Sequence, residues 1–150
     1  ALTDVFYFGG TKCGALFGEA VVLLADSLKH RFKTYMKQNG AVLAKGWLLG
    51  LQFYALLENG EYFKITACAD KLAMRLKEAF AEKGIPFAVD SPTNQQVVIL
   101  TPLQEEKLAE KYIFEGMGTL EDGRKKVRFC TSWSTTEEEI QALIADIQAL

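Results

Sequence analysis

The chain has little of what several common chemistries and locations require. It carries one histidine, His30, and three cysteines, Cys13, Cys68 and Cys130, in 150 residues. The cysteines are far apart and odd in number, which argues against a disulfide framework and for a reducing cytosol. Their spacing is no zinc pattern, a lone imidazole adds little, and no metal site is expected. Charge of either sign is nearly balanced: the formal net value of -2 provides no field for holding nucleic acid or an anionic membrane. No apolar run reaches membrane-spanning length, since the longest candidate, Trp47 to Leu57, is too short. The chain does not open on the basic-then-apolar pattern of a secretory signal. What is there suits a globular protein with a real core: 49% of the residues are hydrophobic. The chain starts without Met and enters a buried-looking strand almost at once. That suggests a piece of a longer protein, with a processed natural terminus as the alternative.

Hydrophobic periodicity and turn residues predict an α/β chain without repeats or flexible linkers. Val5–Phe8 and Glu19–Leu24 are nearly continuous apolar runs, as expected of strands buried on both faces of an α/β sheet. Asp26 is placed to cap a short helix from Ser27 to Lys33. After Asn39-Gly40, a long helix is expected over about 41–57, with so little polar face that it should be mostly buried. Asn59-Gly60 ends it, and a second helix follows from Glu61 to Lys83. Pro86–Val89 and Gln96–Leu100 are predicted strands around the Ser91-Pro92-Thr93-Asn94 turn. Pro102 starts a helix to Lys111. Tyr112–Met117 and Lys125–Cys130 form a hairpin about Asp122-Gly123. Thr135-Thr136-Glu137-Glu138 opens a last helix with a capping box. The order yields three parts. Residues 1–35 are the end of a larger sheet domain, 36–59 a bridging long helix, and 60–150 a small α+β domain with helices on one face of an antiparallel sheet.

Lys12 is the residue with the most chemical promise. It follows a β-prone run and two glycines in Phe6-Tyr7-Phe8-Gly9-Gly10-Thr11-Lys12-Cys13-Gly14. A lysine amine withdrawn from water loses basicity and becomes nucleophilic toward aldehydes, which is what a Schiff-base lysine needs. The competing reading is a surface lysine in a Gly-rich hairpin turn.

The wording of Gly9-Gly10-Thr11-Lys12-Cys13-Gly14-Ala15-Leu16-Phe17-Gly18-Glu19-Ala20 resembles the cofactor-lysine segment of the low-specificity threonine aldolase family, within the β-eliminating lyase group. Lys37–Gly46, Asp90–Gln95 and Val127–Thr135 also resemble family segments, in the family order. The resemblance covers nearly the whole chain but only the C-terminal part of such an enzyme. It implies a fold-type I enzyme dependent on pyridoxal 5'-phosphate (PLP), with 1–35 closing the large PLP-binding domain. It further implies a lyase that splits β-hydroxy-α-amino acids, threonine giving glycine and acetaldehyde, in a cytoplasmic homodimer or homotetramer. Aminotransfer, β-elimination and a non-catalytic interaction domain are the alternatives.

On this resemblance Lys12 is the Schiff-base residue, and Arg128, in Val127-Arg128-Phe129, binds the substrate α-carboxylate through its two-pronged guanidinium. The other reading of Arg128 is a sheet-surface arginine paired with an acid. Thr11 is a candidate donor to the cofactor phosphate, with turn chemistry as the alternative. Lys37 and Lys45 are candidate phosphate contacts or solvated lysines. Asn94 and Gln95 look like a signature or a polar turn, Trp133 like core packing beside the last helix, and Cys13 like a small packing residue. An acid for the pyridine nitrogen, a stacking aromatic ring, the main phosphate loop and the general base are expected upstream, in a missing large-domain segment. The 150 residues alone are therefore expected to be inactive.

Overall fold

The computed structural model describes residues 2–150. They form two compact units, one ending at Ile65 and the other running from Thr66 to Leu150. Among the described residues no helix is long and apolar enough to cross a membrane.

The first unit is built on a two-stranded antiparallel ribbon. Its strands, β1 (Val5–Gly9) and β2 (Glu19–Leu23), pair in register from Val5 opposite Leu23 to Gly9 opposite Glu19. Three helices follow: α1 (Asp26–Lys29), α2 (Phe32–Gln38) and α3 (Trp47–Glu58). The first residues of α4 (Glu61–Glu82) complete the unit.

The structure departs from the sequence expectations here in four ways. The single short helix is broken into α1 and α2, because His30 is extended and Arg31 takes a left-handed φ of 55°. Asp26 does not cap: Ala25 holds the N-cap position, and the Asp26 carboxylate accepts from Lys29 Nζ at 2.8 Å instead. α3 starts at Trp47 rather than near residue 41, with Gly46 at its N-cap and Gly40 at a φ of 68° upstream. Finally, the apolar strands and helix are not buried. Only Phe53 of α3 is, whereas Tyr7 is 71% exposed and Trp47 63%. One ribbon against one helix can cover only the facing sides of each, so the outer sides stay in solvent.

The second unit is a four-stranded antiparallel sheet in the order β3-β4-β6-β5, with β3 at Phe87–Val89, β4 at Gln95–Leu100, β5 at Glu115–Thr119 and β6 at Lys125–Cys130. Strand alternation sends Val98, Leu100, Val127 and Phe129 to one face. There they meet Leu72, Leu76 and Phe80 of α4, Leu108 of α5 (Pro102–Ala109), and Ile140, Leu143 and Ile147 of α6 (Glu137–Gln148). The opposite face carries Gln95, Val97, Ile99, Lys126 and Arg128, all half-buried.

Local chemistry fixes the ends. Thr101 and Gln104 close a capping box around Pro102, and Thr136 and Glu139 close another. The acid of the second box is thus Glu139, three residues after the N-cap Thr136, not Glu138. In the hairpin between β5 and β6, Gly123 adopts a φ of 85° that an L side chain resists. β5 begins at Glu115, later than expected, because Tyr112 and Phe114 pack against the core edge. Trp133 is not core packing: it lies in the turn before α6 and is 58% exposed.

Candidate functional site

Lys12 occupies a one-turn 3-10 helix, Thr11–Cys13, that closes the ribbon between β1 and β2. Its backbone is held by two bonds to the Gly10 carbonyl, from Cys13 N at 3.0 Å and Ala15 N at 2.9 Å. Gly10, Cys13 and Ala15 are buried, while Thr11 and Lys12 are exposed. The turn is therefore anchored by its small residues and presents its hydroxyl and its amine.

The floor of the turn comes from α3. A Cβ built on Gly10 would lie 3.0 Å from the Phe53 ring, one on Gly18 would lie 2.5 Å from Leu49, and one on Gly14 would lie 3.9 Å from Leu56. Leu49, Gln52, Phe53 and Leu56 share one face of α3 at the spacing expected of a helix. The Gln52 carboxamide completes the contact. Its Oε1 accepts from Leu16 N at 2.7 Å and from Phe17 N at 3.4 Å, and its Nε2 donates to the Phe17 carbonyl at 3.2 Å.

On the other side, the Tyr62 hydroxyl donates to the Gly9 carbonyl at 3.0 Å. Burial, then a hydrogen bond with the Cys13 side chain, pushes the Tyr62 phenol up to about 12. Edge-to-face contacts of Phe8 with Phe53 and with Tyr62, both at 5.5 Å, fill the space beneath.

Arg128 lies on the open face of the second unit's sheet, in register with Glu115 on one side and Val97 on the other. Its Nη1 donates to Gln95 Oε1 at 2.9 Å and its Nη2 pairs with the Glu115 carboxylate. Gln95 thus holds the arginine, while Asn94 spans the strand ends through Nδ2 to the Thr131 carbonyl at 2.7 Å. Lys37 is exposed in the last turn of α2, and Lys45 is exposed in the segment before α3. His30 is exposed between α1 and α2.

No protein-family model matches the chain. A low-specificity L-threonine aldolase of a Pseudomonas species is 31% identical over 98% of this chain, and one of Pseudomonas aeruginosa is 28% identical over 97%. A solved Leishmania major threonine aldolase superposes with a TM-score of 0.93 at 38% identity over 99% of this chain. The chain is a relative of the low-specificity L-threonine aldolases. It spans about two fifths of their length, 42% and 41% of the two Pseudomonas proteins and 43% of the Leishmania chain. A Sphingomonas wittichii serine palmitoyltransferase, with a TM-score of 0.69 at 12% identity, shares the fold alone. So does a Francisella tularensis 8-amino-7-oxononanoate synthase, at 0.67 and 15%. The fold is α/β, that of the fold-type I enzymes.

Within this threonine aldolase relative, the turn and α3 form one local assembly that sequence reasoning entered only at Lys12 and Thr11. Gln52 and Tyr62 went unremarked, and Phe53 counted only as one apolar residue of a mostly buried helix. Their signal was present: Leu49, Gln52, Phe53 and Leu56 follow the helical spacing, with a single amide among apolar residues. A buried-helix reading of 41–57 hid it, since it assigned no particular partner to that face.

Proposed function

We propose that the protein works as a PLP-dependent lyase on β-hydroxy-α-amino acids, cleaving threonine to glycine and acetaldehyde. The observation that carries this reading is the 0.93 TM-score, at 38% identity, to a threonine aldolase across a chain whose lysine turn is exposed and braced. The residues present fit the cofactor: a primary amine and a hydroxyl stand exposed on adjacent positions of one turn, while their small neighbours are buried. Bound there, PLP would supply an electron sink for charge developing at the substrate α-carbon.

Lys12 Nζ would hold the cofactor through its aldehyde, with loss of water, and Thr11 Oγ1 would donate to the phosphate. Lys37 and Lys45 would be secondary phosphate contacts. Arg128 binds the substrate carboxylate in a two-pronged fork, exchanging Glu115 for the substrate. By fixing the carboxylate, Arg128 would set the orientation of the substrate and so which of its bonds is exposed to cleavage. In this reading residues 1–35 end a large PLP domain, 36–59 bridge, and 60–150 form the small domain. The remaining large-domain segment completes the site in a cytoplasmic homodimer or homotetramer, and the 150 residues alone are inactive. Aminotransfer and β-elimination use the same lysine and arginine, and fold likeness does not separate them. The pairing of Arg128 with Glu115 and Gln95 is also what a purely structural arginine would make, and it favours the non-catalytic alternative.

Borohydride reduction of the PLP-saturated holoprotein, followed by peptide mapping, tests the reading. A phosphopyridoxyl group on Lys12 supports it, and glycine plus aldehyde as products fix the reaction. An unmodified Lys12 in folded protein overturns every PLP reading.

A further inference from the structure

Within the turn that bears Lys12, the backbone is held by the two bonds to the Gly10 carbonyl. The turn is three residues long, so it makes few internal bonds, and glycines stand at positions 9, 10, 14 and 18 around it. Gly14 and Gly18 sit at φ values of 97° and 94°, which L side chains resist, and as glycines they have no side chain to restrain the backbone. Further order must come from outside the turn.

Two side chains reach its backbone from opposite ends. Upstream, Tyr62 Oη donates to the Gly9 carbonyl at 3.0 Å, three residues before the lysine. Downstream, Gln52 forms a two-sided bond with the peptide groups of Leu16 and Phe17, accepting at 2.7 Å and donating at 3.2 Å. An amide that both donates to and accepts from one backbone segment imitates a strand neighbour, and it fixes position and direction together. Tyr62 is further tied to Cys13, the residue next to the lysine. Both side chains stem from helices, and helices hold functional groups more accurately than loops do.

We propose that Gln52 and Tyr62 are positioning residues for Lys12, clamping the two ends of its turn so that the amine meets the cofactor aldehyde in a fixed direction. The inference rests on the Schiff-base reading of Lys12. A misplacement of about 1 Å is enough to cost on the order of a hundredfold in a positioned reaction, so loss of one clamp point should slow capture at Lys12 by about tenfold.

The test uses the holoprotein and three variants, Gln52→Leu, Gln52→Glu and Tyr62→Phe. Leu keeps the approximate size and removes both bond types. Glu keeps the acceptor for Leu16 N–H but turns an oxygen toward the Phe17 carbonyl. Phe keeps the ring and removes the hydroxyl. Each is followed by the rate and pH profile of borohydride capture at Lys12, by hydrogen exchange of the Leu16 amide without cofactor, and by circular dichroism to verify folding. The expected result is faster Leu16 exchange in Gln52→Leu, with capture about tenfold slower and a displaced pH profile in both Gln52→Leu and Tyr62→Phe. If Gln52→Leu fails to fold, Gln52→Glu replaces it and should show the same capture defect. Folded variants that capture at the wild-type rate with the wild-type pH profile would overturn the clamp while leaving Lys12 in its role. Wild-type protein that is never labelled on Lys12 overturns the Schiff-base reading itself, and the positioning role with it.

Discussion

Gly10 is the point at which the lysine turn has no room to spare. Replacing it with alanine would place a methyl 2.6 Å from the Ala15 methyl and 3.0 and 3.2 Å from two carbons of the Phe53 ring. The first distance is far inside van der Waals contact, and none of the three atoms is the loose end of a long side chain. Gly10 has an ordinary φ of -112°, so the whole cost is steric and none of it is backbone strain. Overpacking of this kind costs about 1–3 kcal/mol. For a chain of this size that corresponds to a fall of roughly 2–12 °C in Tm, at about 2–4 °C per kcal/mol. Gly116→Ala is the internal control: it lies in β5 with nothing within 4 Å of the added carbon, and should stay within about 0.5 kcal/mol of wild type. Thermal unfolding of the three proteins followed by far-ultraviolet circular dichroism makes the comparison. Equal midpoints for Gly10→Ala and Gly116→Ala would refute the argument that the turn is tightly packed on α3.

Phe80→Ala should destabilise the second unit by about 3–5 kcal/mol in a urea titration, because Phe80 is fully buried and its ring lies 5.2 Å from that of Phe129. A loss below about 1 kcal/mol would mean that the core closes over the gap. Tyr112 donates to Asp146 Oδ2 at 2.5 Å, and burial followed by that carboxylate pushes its phenol up to about 12. A folded-state value above the unfolded one means that this stabilisation is complete below about pH 10 and disappears as pH rises through about 12. Tyr112→Phe should therefore flatten the loss of Tm over that window without abolishing it, since Tyr62 titrates in the same range. An unchanged slope in Tyr112→Phe would show that the Asp146 contact carries no pH dependence.

The second unit was legible because each element carries its own local rule. Thr101 with Pro102, Thr136 before three acids, and Asp122-Gly123 between two β-prone runs are signals that neighbours cannot override. The apolar run from Val97 to Leu100 marked β4 as a strand but left its buried face open, since Val97 and Ile99 are as apolar as Val98 and Leu100; the structure buries Gln96, Val98 and Leu100. The first unit was harder to read. Val5–Phe8 and the α3 sequence announce burial, but their composition cannot say by what, and in these residues only the faces toward each other are covered. The break at His30-Arg31 gave no sequence signal, since arginine is an ordinary helix former and only its φ of 55° reveals the kink. For the site, Lys12 was visible through its glycine setting, whereas Gln52 and Tyr62 act through the backbone of residues they do not adjoin in sequence. Arg128 was foreseen with two fates, and the sheet register shows its acidic partner: Glu115 stands opposite it on β5.

The two tryptophans have an optical consequence. Trp47 opens α3 and Trp133 precedes α6, and they are 63% and 58% exposed in the folded chain. Both indoles should already emit as in water, so unfolding should shift their fluorescence little, and the most deeply buried aromatic ring is that of Phe80, a weak emitter. Trp47 becomes useful in the opposite sense. It stands on the apolar outer side of α3, so a blue shift of its emission would register the arrival of any surface that covers that side.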